Sequence, residues 1–275
     1  WFKIPFLLEV NAPLAQERGQ FGGLSLPRLA AWTERFTWRG ADYVLPVTRV
    51  LARYVEKAGV TAPHIVVAPN GIDLERLKPT GSIDEAKRSL NLGTGLVLGF
   101  VGFVRDWHGL DHIVDLLARE RDLHSTRFLI VGDGPACDGL REQAKRLGIA
   151  DRVIITGVVP HERLATYLSA MDIALQPHVT PYASPLKLFE YMALGRAIIA
   201  PDMENIREIL EPEIDSVLFT PGDQKTLSDA IRRLACDGEL RTRLGTAAAA
   251  KIVARNLTWR HNAERVAALI ENFNE

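Results

Sequence analysis

The 275-residue sequence is short of several things, and each absence narrows what it can be. Two cysteines, Cys137 and Cys236, cannot build a disulfide framework or a zinc site, and they suit a reducing cytoplasm. Net charge is nearly absent: 33 Lys and Arg against 34 Asp and Glu leave −1, without the excess of cationic surface that gripping nucleic acid requires. No apolar run reaches the ~20 residues of a transmembrane helix. The longest, GLVLGFVGFV at 95–104, has the length of a buried strand. His-Glu-x-x-His, paired-cysteine and Asp-x-Asp patterns are all missing, so no bound metal is expected. There are no internal repeats or low-complexity tracts. An initiator Met is missing too: the chain begins at Trp1 and runs almost at once into the strand-like PFLLEV at 5–10, which reads as a fragment of a longer gene.

What is present is an ordinary soluble composition, 47% hydrophobic and 24% charged. Strand-like runs alternate with helical periods. Residues 42–47 read as a strand, Thr48 as the cap of a helix ending near Gly59, and 64–69 as the next strand. Glycine, proline and Asn70-Gly71 punctuate 70–95, the best place for a domain boundary. Strands at 96–101, 127–131, 152–156, 172–176, 196–200 and 216–220 follow, each continuously rich in Val, Ile and Leu. That texture indicates a parallel sheet covered on both faces by the intervening amphipathic helices. The expectation is α/β, with 1–80 as the last part of one Rossmann-like domain, 81–257 as a complete second one, and 258–275 as a helix packing back on the first.

In such sheets ligands bind beyond the carboxyl ends of the strands. Gly102, Gly132 with Gly134, and Gly157 next to Val158 stand after successive strands, where a ligand or another backbone must come close. In SPLKLFEYMALG at 184–195, Ser184 reads as an N-cap and Pro185 as the first helical residue. The amide-rich helix start is a place for an anion. Ser184, Lys187 and Glu190 form a narrow polar stripe on an otherwise apolar helix. Arg105 offers a permanent cation suited to phosphate oxygens. His108 reads either as a ligand contact or as a hydrogen-bonding loop residue, and Trp107 as a wall.

PNGID at 69–73, VGDGP at 131–135, the loop GFVRDWHG and SPLKLFEYMALGRAIIAPD together resemble the family-4 (group 1) glycosyltransferases of GT-B fold, over nearly the whole chain. The resemblance implies two Rossmann-like domains, the N-terminal one incomplete here. The second would hold a UDP-, GDP- or ADP-sugar, with no other cofactor. The acceptor would be a glycan, a lipid-linked molecule or a small molecule. Glu190 would close the Glu-x7-Glu motif and bind the ribose hydroxyls. The backbone at Pro185, Leu186 and Lys187 would cradle the diphosphate, and the base would lie near 132–134 and 157–159. The family's loop Arg falls at Phe103 and its Lys at His108, so Arg105 and Lys187 become the candidate catalytic cations. The first motif Glu falls at Tyr182. The implied chemistry is retaining transfer without a metal.

Three rivals stand beside this reading. A nicotinamide dehydrogenase fails because its Gly-x-Gly-x-x-Gly would end in Cys137, and no acidic residue stands in the ribose-reading place about 20 positions later. An epimerase of the same fold, or an inactive nucleotide-sugar binder, remains an alternative to transfer. Segment 26–39 mixes Trp32, Phe36 and Trp38 with Arg28, Arg35 and Arg39. It reads as a helix covering the sheet or as one lying on the inner face of a membrane.

Overall fold

In the computed structural model, which describes residues 4–274, strand β1 (Leu7–Val10) lies parallel to β2 (Tyr43–Pro46). Trp1 and Glu275, the ends of two expected segments, lie outside the described residues. Helices Leu14–Phe21, Pro27–Gly40 and Arg49–Lys57 accompany this small sheet, and the side chain of Thr48 caps the last of them by accepting from the Leu51 amide. Val10, Trp38, Val44, Leu51 and Val55 form its core. The expected strand at 64–69 is only an extended edge. The Val66 and Ala68 amides donate to the Val44 and Pro46 carbonyls, but a 3-10 turn at Ala62–His64 and the amide-less Pro69 shorten the ladder to the single bridge Val44–Ile65.

The larger sheet contains β3 (Val97–Val101), β4 (Arg127–Val131), β5 (Val153–Ile155), β6 (Ile173–Leu175), β7 (Ala197–Pro201) and β8 (Val217–Phe219). All pairings are parallel, in the order β5-β4-β3-β6-β7-β8. β6 and β7 are buried throughout, as their unbroken apolar sequences require of strands covered on both faces. Asp223 and Asp237 cap the helices Gln224–Cys236 and Gly238–Ala254. The strand order reverses between β3 and β6, which places the ligand crevice of such a sheet at their carboxyl ends.

Two compact units result. One comprises Trp1–Gly71, Thr180–Ser184 and Leu257–Glu275, the other Ile72–Val179 and Pro185–Asn256. The division comes earlier than the expected 80/81. Ile72 and Leu77 are buried, and the Asp73 carboxylate accepts from the Glu75 and Arg76 amides, so this stretch is ordered structure rather than a linker. Helix Trp259–Asn274 is tied to the first unit's own edge, with Asn262 donating to the Pro69 carbonyl and Arg265 to that of Val67.

Helix Leu186–Ala193 is held at the reversal point by Tyr191, whose fully buried phenol accepts from the Val101 amide at 3.0 Å and donates to the Leu175 carbonyl at 3.4 Å. One side chain thus fastens the helix to β3 and β6 together. Tyr191→Phe strands a buried amide and should cost about 1–3 kcal/mol, read as a lower urea midpoint at unchanged slope.

Candidate functional site

Helix Leu186–Ala193 begins one residue later than expected. Pro185 occupies the cap position without a side-chain bond, and the Ser184 hydroxyl is buried without a partner. Ser184 belongs to the first unit, where its carbonyl accepts from the buried Asn70 side chain at 2.6 Å. It is therefore a backbone anchor rather than a cap. Leu186 is half exposed at the helix start.

The next residue carries an unusual charge. The Lys187 ammonium lies 3.9 Å from the centre of the Phe100 ring, a cation–π contact. Among the described residues it forms no salt bridge. Burial draws its pKa down to about 7, opposed by the negative charge of Glu190. The Glu190 carboxyl is itself pushed up by burial, while Lys187 and His161, the first residue of helix His161–Ser169, pull it down. A lysine and a glutamate are thus held in poorly solvated positions where an incoming ligand could replace lost water.

The loop after β3 supplies the neighbouring wall. Gly102 has φ +134° and no side chain, and a Cβ there would stand 3.2 Å from the Lys187 nitrogen. The glycines after β4 have a second reason to be glycine. A Cβ on Gly132 would meet the Gly102 carbonyl oxygen at 2.1 Å, and one on Gly134 would meet that of Val104 at the same distance. The close approach here is backbone on backbone. Gly132 bridges to Gly157, and Val158 beside it is 84% exposed.

His108 is not a cation like the lysine that the family resemblance implies at its place. It is buried, its Nδ1 accepts from the Arg105 amide at 3.1 Å, and burial followed by the Lys187 charge lowers its pKa to about 4. The imidazole is neutral at working pH, with its proton on Nε2 as that hydrogen bond requires. It stands in a ladder of rings, 4.9 Å from Phe100 and 3.9 Å from Trp107, which in turn meets His178 edge-on at 5.2 Å. Arg105 lays its guanidinium over Phe103, 4.9 Å from the ring centre. It lines an adjoining groove of about 360 Å³ with Asp106, Asp111 and Arg146. Tyr182, at the position of the missing motif carboxylate, packs in the first unit's core against Tyr54. Burial pushes its phenol up to about 12.

The structure therefore gathers Gly102, His108, Gly132 and Gly134 beyond the carboxyl ends of β3 and β4, with Lys187 and Glu190 on helix Leu186–Ala193 after β6. It places Arg105 to one side and Ser184 in the other unit. Sequence reasoning missed Phe100 as the seat of Lys187 and Tyr191 as the fastening of its helix. A tyrosine in a helix that is apolar nearly all round needs a buried partner for its hydroxyl, and that was the available signal.

Comparison with known proteins gives the family. Residues 82–251 match the family described as Glycosyl transferases group 1, and residues 1–71 match the Glycosyl transferase 4-like domain. A 2-deoxystreptamine N-acetyl-D-glucosaminyltransferase of Streptomyces fradiae is 29% identical over 252 residues, 90% of this chain and 58% of that protein. A 2-deoxystreptamine glucosyltransferase of Streptomyces kanamyceticus is 26% identical over 214 residues, 76% of this chain and 55% of that protein. The chain thus spans little more than half the length of these relatives. Anabaena HepE, solved in complex with UDP, shares the fold with a TM-score of 0.83 at 19% identity, over 98% of this chain and 72% of its own. With the family match covering more than half of its residues, on a GT-B fold of parallel sheets flanked by helices, the chain belongs to the group 1 glycosyl transferases.

Proposed function

We propose that this chain binds the donor in an enzyme that moves a sugar from a nucleoside-diphosphate sugar to an acceptor, with retention at the anomeric carbon and without a metal. The acceptor class is a glycan, a lipid-linked molecule or a small molecule. The observation that carries this reading is the Lys187 ammonium, without a salt bridge among the described residues and poorly solvated at the point where the strand order reverses, one turn before Glu190. Relatives that transfer sugars and a structural neighbour that holds UDP support it.

In this reading the diphosphate lies against Lys187 and the open backbone amides of Leu186 and Lys187 that follow Pro185, with Arg105 as a second cation. Glu190 takes the ribose hydroxyls. Gly132, Gly134 and the exposed backbone at Val158 border the base, and Gly102 leaves room beside the ammonium. As the anomeric C–O bond breaks, the sugar becomes oxocarbenium-like and negative charge grows on the leaving diphosphate. A cation and amide dipoles already in place stabilise that charge without having to reorganise. His108, being neutral, contributes a fixed wall and a hydrogen-bond donor rather than charge.

The test is a thermal-shift panel of UDP, GDP and ADP sugars. A ligand at one hundred times its Kd stabilises the folded state by about 2.7 kcal/mol, which for a protein of this size is roughly 5–10 °C. One nucleotide should give that shift, and Glu190→Gln should reduce it. A panel in which no nucleotide raises the melting temperature overturns the donor site. Stabilisation with neither transfer nor hydrolysis favours a binding-only protein, a reading that Tyr182 in place of a carboxylate also supports.

A further inference from the structure

The two faces of the larger sheet carry different helices, and the proposed donor site uses only one of them. From β3 the chain steps to β4 and β5, and from β6 it steps the opposite way to β7 and β8. Right-handed crossovers therefore put the connecting helices on opposite faces. Helix Leu186–Ala193 stands on one face. Helices Leu110–Arg119 and Cys137–Arg146 stand on the other, where helix Gln224–Cys236 packs against the first of them. Beyond the strand ends on this second face lie the groove of about 360 Å³ already described and a hollow of about 280 Å³. Asp106 and Asp111 line both, so the two adjoin across the start of helix Leu110–Arg119.

Both are lined by groups that the fold leaves unused. The hollow has Trp107, 44% exposed, beside His178 and the Gln224 amide, which His112 holds at 2.7 Å. Its buried polar member is His108, only 5% exposed. With Nδ1 taken by the Arg105 amide, the Nε2–H of His108 is left without a partner among the described residues. A buried donor without an acceptor is costly, and a ligand oxygen in the hollow relieves that cost. The groove holds Arg105 and Arg146 beside Asp106 and Asp111. Among the described residues Arg105, Asp106 and Arg146 form no salt bridge, and Asp111 reaches only His112, at 3.7 Å. An anion here would meet the carboxylates and a cation the guanidinium groups. A hydroxyl donates to the one and accepts from the other. Neighbouring hydroxyls on a ring whose apolar face can lie on an indole satisfy both spaces.

We infer that the hollow and the groove together form a saccharide-binding site, separate from the donor site, that takes a neutral oligosaccharide with one ring on Trp107 and the next between Asp111 and Arg146. It holds a stretch of glycan away from the reacting end. Every lining residue belongs to the second unit, so binding is a property of that unit alone. Only the use of the site, keeping a glycan beside the donor, rests on the proposed transfer reaction.

The experiment is isothermal titration calorimetry of the chain with maltotriose, cellotriose and triacetylchitotriose, each with and without saturating UDP. Glucose 6-phosphate and glucosamine serve as charged controls. At least one trisaccharide should bind, equally well with and without UDP, and more tightly than either charged sugar. Trp107→Ala should weaken it at least about tenfold, because the sugar loses its apolar platform. Asp111→Ala and Arg146→Ala should each weaken it roughly fivefold through lost hydrogen bonds. Circular dichroism melts of these last two variants should overlay that of the parent, which separates loss of binding from loss of fold. Four results would each overturn the inference: no trisaccharide binds, UDP displaces the one that does, Asp111→Ala and Arg146→Ala bind it as the parent does, or only a charged sugar binds. A trisaccharide that binds while no nucleotide raises the melting temperature removes the donor site and leaves this one standing.

Discussion

Lys187→Met should lower turnover of the full protein at least about tenfold, equivalent to roughly 1.4 kcal/mol of barrier, and should at the same time raise the melting temperature of the ligand-free chain. Both halves come from one fact. The ammonium sits on the Phe100 ring with no salt-bridge partner among the described residues, in surroundings that draw its pKa from 10.5 to about 7. Below that value the folded chain holds a charge it solvates poorly. Between about 7 and 10.5 the unfolded chain binds a proton that the folded chain has released. Stability of the ligand-free chain therefore rises with pH across that window, and methionine, which fills a similar volume over the ring, should flatten the rise.

Donor binding should run the other way. A diphosphate favours the charged amine, so binding is accompanied by proton uptake, and affinity should fall as pH rises above about 7. Calorimetric titrations at a series of pH values would show this slope in the parent and not in Lys187→Met. A variant with parental turnover, or one that melts lower than the parent, would sink the role assigned to Lys187. Exchanging stability for a poised charge is common at functional sites.

The largest effect on folding is expected at a different buried lysine. Lys87, in helix Ile83–Ser89, meets Asp172 at 2.7 Å, with side chains only 5% and 11% exposed. The same carboxylate accepts from the Val97 amide at the start of β3, and the ammonium also donates to the Gly95 carbonyl. Asp172→Ala leaves a buried cation and an amide unpaired, and should cost about 3–5 kcal/mol, or on the order of 10 °C in Tm. Lys87→Met with Asp172→Leu should be milder than Asp172→Ala alone. It removes both charges, strands the Val97 amide at a cost of about 1–3 kcal/mol, and leaves the part-buried Gly95 carbonyl without its lysine donor. Urea denaturation of the three chains would check this order, and a double variant worse than Asp172→Ala would refute the account.

Much of this architecture was legible in the sequence for a simple reason. A parallel strand covered on both faces needs an unbroken apolar run, so AIIAP and VLGFV declare themselves, and the reversal of strand order follows from ordinary right-handed crossovers. Lys187 and Glu190 were legible because a helix apolar nearly all round makes each polar residue conspicuous. Less legible was anything resting on a partner far away in sequence. Asn70 read only as a turn, yet its side chain holds the Ser184 carbonyl 114 residues on. Tyr182 read as a lost catalytic carboxylate, whereas its side chain completes a core with Val55 and Leu51. Segment 64–69 has a strand's composition, but the turn before it and Pro69 after it leave a single bridge.

The sequence by itself determined the fold class, the order of the elements and the family, because periodicity, caps and motif spacing are local properties that the chain carries whether folded or not. Tertiary structure alone decided the charges. His108 stands where the family resemblance implies a lysine but is neutral, because it is packed against Phe100 and Trp107 and its Nδ1 is taken by the Arg105 amide. Lys187 is an ordinary lysine by sequence and titrates near 7 only because the fold lays it on an aromatic ring away from water. Whether Trp32 and Phe36 face the core or the solvent was open in the sequence, since either face of an amphipathic helix can be the buried one. Packing of Trp38 and Glu34 turned the aromatic pair outward. Ionisation and exposure depend on the dielectric and the neighbours at one point in space, and those exist only once the chain has folded.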